Sequence, residues 1–283
     1  MKYFLLMFGI FIGVGVATKC DRVLISYVFY RNTTVDRRSY NPELSNLMYF
    51  IRHGISPDPC VDIVFSIVAS TPVPDELLIL EKTWENIRIR HTKNYGDDLC
   101  VHRNTLTLFD SIDKDYSFIV FLNCGVRGPL SPSRTHPFYW IAQFTRKLNS
   151  RVKLTGSTIS CQVSPHVQTW FFVMSSDVIR IAIETWKKCQ SDEKWNAVLD
   201  GEVGLSKQIF MANYTISSNQ QKHKNEFSGS CTNFLNPTYV DQDISEFLFF
   251  KFGGGPWRER KFPVGIRHQI EDLAVQAESL LIK

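Results

Sequence analysis

Apolar positions along this chain alternate between short continuous runs and stripes at helical spacing. Val23 to Tyr30 (VLISYVFY) and Val61 to Ala69 (VDIVFSIVA) read as buried strands, being too short for helices and rich in β-branched and aromatic residues. Between them, Leu44, Leu47, Met48 and Ile51 share one helical face. After the Pro72-Val73-Pro74 break, Ile87 to Arg90 predicts a third short strand, and a helix begins at Asp98 with Leu99, Leu106, Phe109 and Ile112. The central stretch is Tyr116 to Pro129. Its apolar run Phe118 to Leu122 stops at Asn123, with Gly125, Arg127, Gly128 and Pro129 immediately after.

Further on, Phe138 to Leu148 predicts a helix, and Val152 to Cys161 and Val167 to Met174 predict strands. Val178, Ile179, Ala182, Ile183 and Trp186 form a stripe that belongs in a core. Gly201 to Ala212 reads as helix, Phe247 to Phe252 as a last strand, and Ile266 to Leu281 as an amphipathic helix. Strands and helices alternating at this interval predict an α/β fold with a doubly wound, mostly parallel sheet in a single domain. In such a sheet the carboxyl ends of the strands carry the ligand site, which places Asn123 at its edge.

Composition narrows the class. The 283 residues are 44% hydrophobic and 13% aromatic, ample for a packed core, and a formal charge of +4 without runs of like sign gives no basis for nucleic-acid binding. Met1-Lys2 followed by the apolar run Tyr3 to Ala17 reads as a secretory signal peptide or a short signal-anchor over residues 1–19. Residues 20–283 are then the lumenal domain, anchored by a single pass or secreted. The sequons Asn32-Thr33-Thr34 and Asn213-Tyr214-Thr215 agree with that compartment. Seven cysteines with no Cys-x-x-Cys pair argue against zinc and for disulfides, with at least one left unpaired within the chain.

Four segments carry a resemblance: Asn94-Tyr95-Gly96-Asp97-Asp98-Leu99, Phe121-Leu122-Asn123-Cys124-Gly125-Val126-Arg127-Gly128-Pro129, His166-Val167-Gln168-Thr169-Trp170-Phe171 and Gly201-Glu202-Val203-Gly204-Leu205-Ser206. In their order and spacing the chain resembles glycosyltransferase-like proteins related to rhamnan synthesis protein F, which include eukaryotic secretory-pathway members. The resemblance implies a glycosyltransferase-A-like fold. It also implies transfer of a sugar from a nucleotide sugar to a glycan or glycoprotein acceptor in the Golgi or endoplasmic reticulum.

Such a reaction needs a donor pocket, charge compensation for a departing diphosphate, and a carboxylate for the acceptor hydroxyl proton. Asn94 and Asp98, in a strand-to-helix loop, are candidates for the donor's ribose or phosphates, Asp98 being alternatively a plain helix N-cap. Asn123 stands where metal-dependent members of this fold carry Asp-x-Asp, so no cofactor is assigned and manganese is in doubt. The literal Asp113-Lys114-Asp115 falls at the amino end of the strand, and Asp241-Gln242-Asp243 lies in a loop. Arg127 and Lys251 are the cations proposed for the diphosphate; the alternatives are an arginine bridging two loops and a lysine on an exposed strand face. His166 and Gln168 are candidates for a sugar or acceptor hydroxyl. Glu202 is the candidate base, with Asp200 beside it as N-cap or alternative carboxylate. A carbohydrate-binding or scaffolding protein that keeps the fold without catalysis is the rival reading. A hydrolase using two carboxylates has little behind it.

Overall fold

The structure, a computed structural model, describes residues 20–30, 42–69, 71–95, 97–109, 112–130, 138–188, 198–220, 225–227 and 248–251. The amino-terminal apolar run, Gly96, the Asn32 sequon, Cys189, Cys231, Asp241, Asp243 and the Ile266 to Leu281 stripe lie outside these residues.

The first half alternates strands with helices: β1 (Val23–Phe29), α1 (Pro42–His53), β2 (Val61–Val68), α2 (Asp75–Thr83), β3 (Ile87–Thr92), α3 (Asp98–Leu106), α4 (Ile112–Asp115) and β4 (Phe118–Asn123). There follow β5 (Val126–Arg127), α5 (Tyr139–Thr145), β6 (Val152–Gly156), β7 (Ile159–Ser160), β8 (His166–Val167), β9 (Phe171–Ser175) and α6 (Ile179–Thr185). A π-helical turn, Val198–Val203, runs into α7 (Gly204–Met211), and β10 (Thr215–Ser218) and β11 (Phe250–Lys251) are the last described strands.

Seven strands form one sheet in the order β10-β6-β9-β4-β1-β2-β3. β1 is parallel to β2 and β4, β2 to β3, and β6 to β10, whereas β9 is antiparallel to both β4 and β6. Every residue of β1 is buried, as befits a strand covered on both faces. Its side chains alternate: Ile25, Tyr27 and Phe29 join Leu47 and Phe50 of α1, Leu77 of α2 and Trp140 and Phe144 of α5 in one core. Leu24 packs in a second core with Leu99 of α3, Ile179 of α6 and Ile209 of α7. The fold is α/β and doubly wound.

Several boundaries differ from the sequence reading. One long helix from Asp98 to Ile112 is two, α3 and α4. The strand expected over Val152 to Cys161 ends at Gly156, where an added Cβ would lie 2.4 Å from Val167 Cγ1; β8 crosses close there. The Val167 to Met174 segment is likewise divided into β8 and β9. Helix α2 has no place in the apolar pattern because its apolar residues are consecutive: Leu77 is buried while Leu78 and Ile79 are exposed. β10 (TISS) carries one apolar side chain, too few for a strand signature, yet all four residues are buried against its neighbours.

A disulfide joins Cys20 to Cys60 and so ties the start of β1 to that of β2, and Cys100 and Cys161 are also disulfide-bonded. Cys124 is the free cysteine among the described residues, and burial pushes its thiol well above its ordinary range. Among those residues no helix is long and apolar enough to cross a membrane.

Candidate active site

The carboxyl edge of the sheet is built outward from Asn123. Its side-chain carbonyl accepts from the Gly125 amide at 2.9 Å, an Asx turn that stops β4. Its amide donates to Asp98 Oδ2 on the first residue of α3. Asp98 is not the N-cap: that place is taken by Asp97, whose Oδ1 accepts from Leu99 N at 2.8 Å. The two expected donor residues Asp98 and Asn123 are therefore brought into direct contact. Asn94 is exposed, two residues beyond the end of β3.

Two adjacent carboxyl groups with little water do not both ionise freely. Burial, the neighbouring charge and hydrogen bond of Asp98, and the charge of Glu202 together raise Asp97 to about 8, against one opposing bond from Leu99 N. One turn further along α3, the sequence reading missed His102. It is fully buried, with Nδ1 2.8 Å from Ser26 Oγ on β1, and burial lowers it to about 4 despite the charge of Asp98. The signal was the spacing: residues four apart on a helix share a face.

Glu202 arrives from the opposite side. Gly201 lets the π-helical turn approach α3, since a Cβ there would lie 2.7 Å from Leu99 Cδ1. Glu202 Oε2 accepts from both the Thr169 amide, at 3.1 Å, and its hydroxyl, at 2.5 Å. Oε1 faces His166 Nε2 at 3.2 Å, and His166 Nδ1 sits 2.7 Å from the Ser164 carbonyl oxygen. Both imidazole nitrogens thus face oxygen atoms, which fixes the ring between Ser164 and Glu202. Burial works against ionisation of Glu202, but the hydrogen bond and charge of His166, then Thr169 and the charge of Lys251, hold it below the usual glutamate range. Asp200, two residues earlier, is exposed.

The two expected cations separate. Lys251 is exposed on β11, which pairs antiparallel with β5, and its charge is felt at Glu202. Arg127 is buried, neither a surface bridge nor an open phosphate ligand. Its Nε donates to Asn46 Oδ1 and its Nη2 to Ser45 Oγ, each at 2.8 Å, and its guanidinium lies 5.2 Å from the Tyr49 ring centroid. Gln168 is nearly buried, its Oε1 accepting from Thr158 Oγ1 at 2.8 Å. Trp170 and Phe171 are core residues.

The strand end is a poor fit for manganese. Asn123 directs a hydrogen-bond donor at Asp98, its oxygen already serves Gly125, and the raised Asp97 holds its proton at neutral pH. No group of three or more His, Cys, Asp or Glu among the described residues is arranged to hold a metal ion. Asp113, of the first literal Asp-x-Asp, instead pairs with Arg180 at 3.6 Å.

No family model matches the chain, and no curated protein matches it. Among solved structures it is similar to the glycosyltransferase GlyE of Streptococcus pneumoniae TIGR4, at 10% identity and TM-score 0.47 over 90% of this chain and 60% of that one. It is also similar to S. aureus TarS, at 8% identity and TM-score 0.36 over 56% of this chain and 48% of that one. A cytidylyltransferase from Leptospira borgpetersenii follows at 11% identity and TM-score 0.34, over 60% of this chain and 65% of that one. The chain spans about three fifths of the GlyE structure.

Proposed function

We propose that this protein is a glycosyltransferase of the secretory-pathway lumen, in the Golgi or endoplasmic reticulum, moving a sugar from a nucleotide-sugar donor to a glycan or glycoprotein acceptor. The observation that carries the reading is the convergence of Asn123, Asp98, Glu202 and Lys251 at one sheet edge. They come from a strand end, a helix start, a π-helical turn and a short second sheet. Carboxylates and amides held by their neighbours are suited to sugar and ribose hydroxyls. Lys251 is an exposed cation there for a departing diphosphate, on the strand that pairs with β5, while the Arg127 side chain of β5 anchors that strand to Ser45 and Asn46 of α1. Glu202 or the exposed Asp200 takes the acceptor proton.

A specific observation favours the second reading, a carbohydrate-binding protein without catalysis. Both oxygens of Glu202 are engaged and its basicity is lowered, which suits recognition better than proton abstraction. The deciding experiment is a thermal-shift panel of nucleotide sugars on residues 20–283, with and without manganese, since a ligand binding only the folded state raises its stability. A shift from one donor without metal, followed by transfer that Glu202→Gln or Asp200→Asn abolishes, supports the enzyme. Glycan binding without affinity for any nucleotide sugar supports the binding protein.

A further inference from the structure

The Asn213-Tyr214-Thr215 sequon lies far from the carboxyl edge. Asn213 ends α7 in a Schellman motif: Tyr214 N donates to Ile209 O at 3.1 Å and Asn213 N to Phe210 O at 3.0 Å. Its φ of 61° is left-handed, a conformation asparagine tolerates better than most residues, and the residue is exposed. Helix capping thus accounts for Asn213, but it does not account for Thr215.

Thr215 opens β10, with its backbone N donating to Arg151 O at 2.9 Å. Its side chain is buried and its hydroxyl has no hydrogen-bond partner among the described groups. A buried hydroxyl in that position costs stability, and an isosteric valine would avoid the cost. What the fold does not explain, the sequon does: a hydroxyl at the third position is what the modifying enzyme reads.

We infer that Asn213 is an N-glycosylation site that is filled before β10 docks. The Asn213 amide nitrogen forms a bond to the anomeric carbon of a polyprenyl-diphosphate-linked oligosaccharide. The bond from that carbon to phosphate oxygen breaks, and the diphosphate leaves with its electron pair. The amide proton passes to a base of the host transferase. Because Thr215 is enclosed in the folded sheet, the transferase meets the sequon only on the unfolded, entering chain.

The glycan faces away from the candidate active site. Thr215 is in register with Val152, so both β10 and β6 begin at this edge, whereas the site lies at the opposite ends of the strands. The exposed Met211 side chain, two residues before Asn213 at the end of α7, is the nearby apolar surface that a first sugar could cover.

The inference rests on lumenal entry, so its test reports entry separately. The full chain is translated with microsomes, its protection from added protease is recorded, and the peptide bearing residue 213 is analysed with and without peptide N-glycosidase. The expected result is a protected chain glycosylated at Asn213. Thr215→Ser retains that glycan, while Thr215→Val loses it without lowering the melting midpoint. An unmodified Asn213 on a protected chain overturns the inference, whether or not Asn32 is modified, as does a glycan that survives Thr215→Val. A chain left open to protease also overturns it, by removing the lumenal premise.

Discussion

Asn123 donates its side-chain amide to the carboxylate of Asp98 across 25 residues of sequence, tying the end of β4 to the first turn of α3. This bond sets the charge of the sheet edge, because an aspartate in place of Asn123 would face a second carboxylate. Asn123→Asp is expected to lose the bond and add repulsion, lowering stability by about 1–3 kcal/mol at neutral pH. The loss should shrink in urea melts as pH falls into the carboxylate range. An unchanged midpoint at neutral pH would mean that Asp98 has another donor.

Asp97 makes stability fall as pH rises. Its carboxyl is at about 8 in the folded protein against an ordinary 3.8, so between those values the folded state keeps a proton that the unfolded chain has released. Stability therefore declines across that window and levels off above it. Asp97→Asn retains a good N-cap and mimics the protonated form. Its advantage over the wild type should be absent at the acid end of the window and greatest at the alkaline end, read as urea midpoints against pH. Glu202 acts the other way and elsewhere: its lowered carboxylate stabilises above the ordinary 4.5 and ceases to as pH drops through its folded value.

Arg127 and Lys251 should fail in different assays. Arg127→Lys gives up part of the fork to Ser45 and Asn46 and is expected to cost about 1–2 kcal/mol of stability. Lys251→Ala, at an exposed position, should leave the melting midpoint in place and weaken nucleotide-sugar binding by about tenfold or more. Calorimetry on both variants separates the roles, and the reverse pattern would reassign the diphosphate to Arg127.

Gly201 holds the two halves of the site together. Gly201→Ala drives a methyl group against Leu99, which is itself buried, and is expected to cost about 1–3 kcal/mol. Displacing the π-helical turn also moves Glu202 from Asp97, so the Asp97 carboxyl should titrate lower in the variant. Carbon-detected NMR titration of the aspartates measures this directly.

Much of this site was legible at the level of single residues and little of it at the level of partners. Asn123 was placed at a strand end by the abrupt stop of an apolar run, and Asp98 at a helix start by the stripe that follows. Sequence offered Asp98 as an N-cap, yet the neighbouring Asp97 has that place, because capping depends on the φ and ψ at one junction rather than on composition. Arg127, expected at the diphosphate, reaches Asn46, 81 residues away. The spacing of His102 from Asp98 puts both on one helix face, but its Ser26 partner lies 76 residues earlier.

By itself the sequence determined β1 to β4, the helix after β1, the start of α3 at Asp98 and the placing of the candidate site at the end of β4. All of these rest on the local period of apolar side chains. Only the tertiary structure decided the strand order, the antiparallel run of β9 and the splitting of the Val152 to Cys161 run at Gly156. It also decided the pairing of Glu202 with Thr169, 33 residues earlier. Those depend on how closely two backbones approach and which polar groups then lose their water, and neither quantity is written in the spacing of residues along one chain.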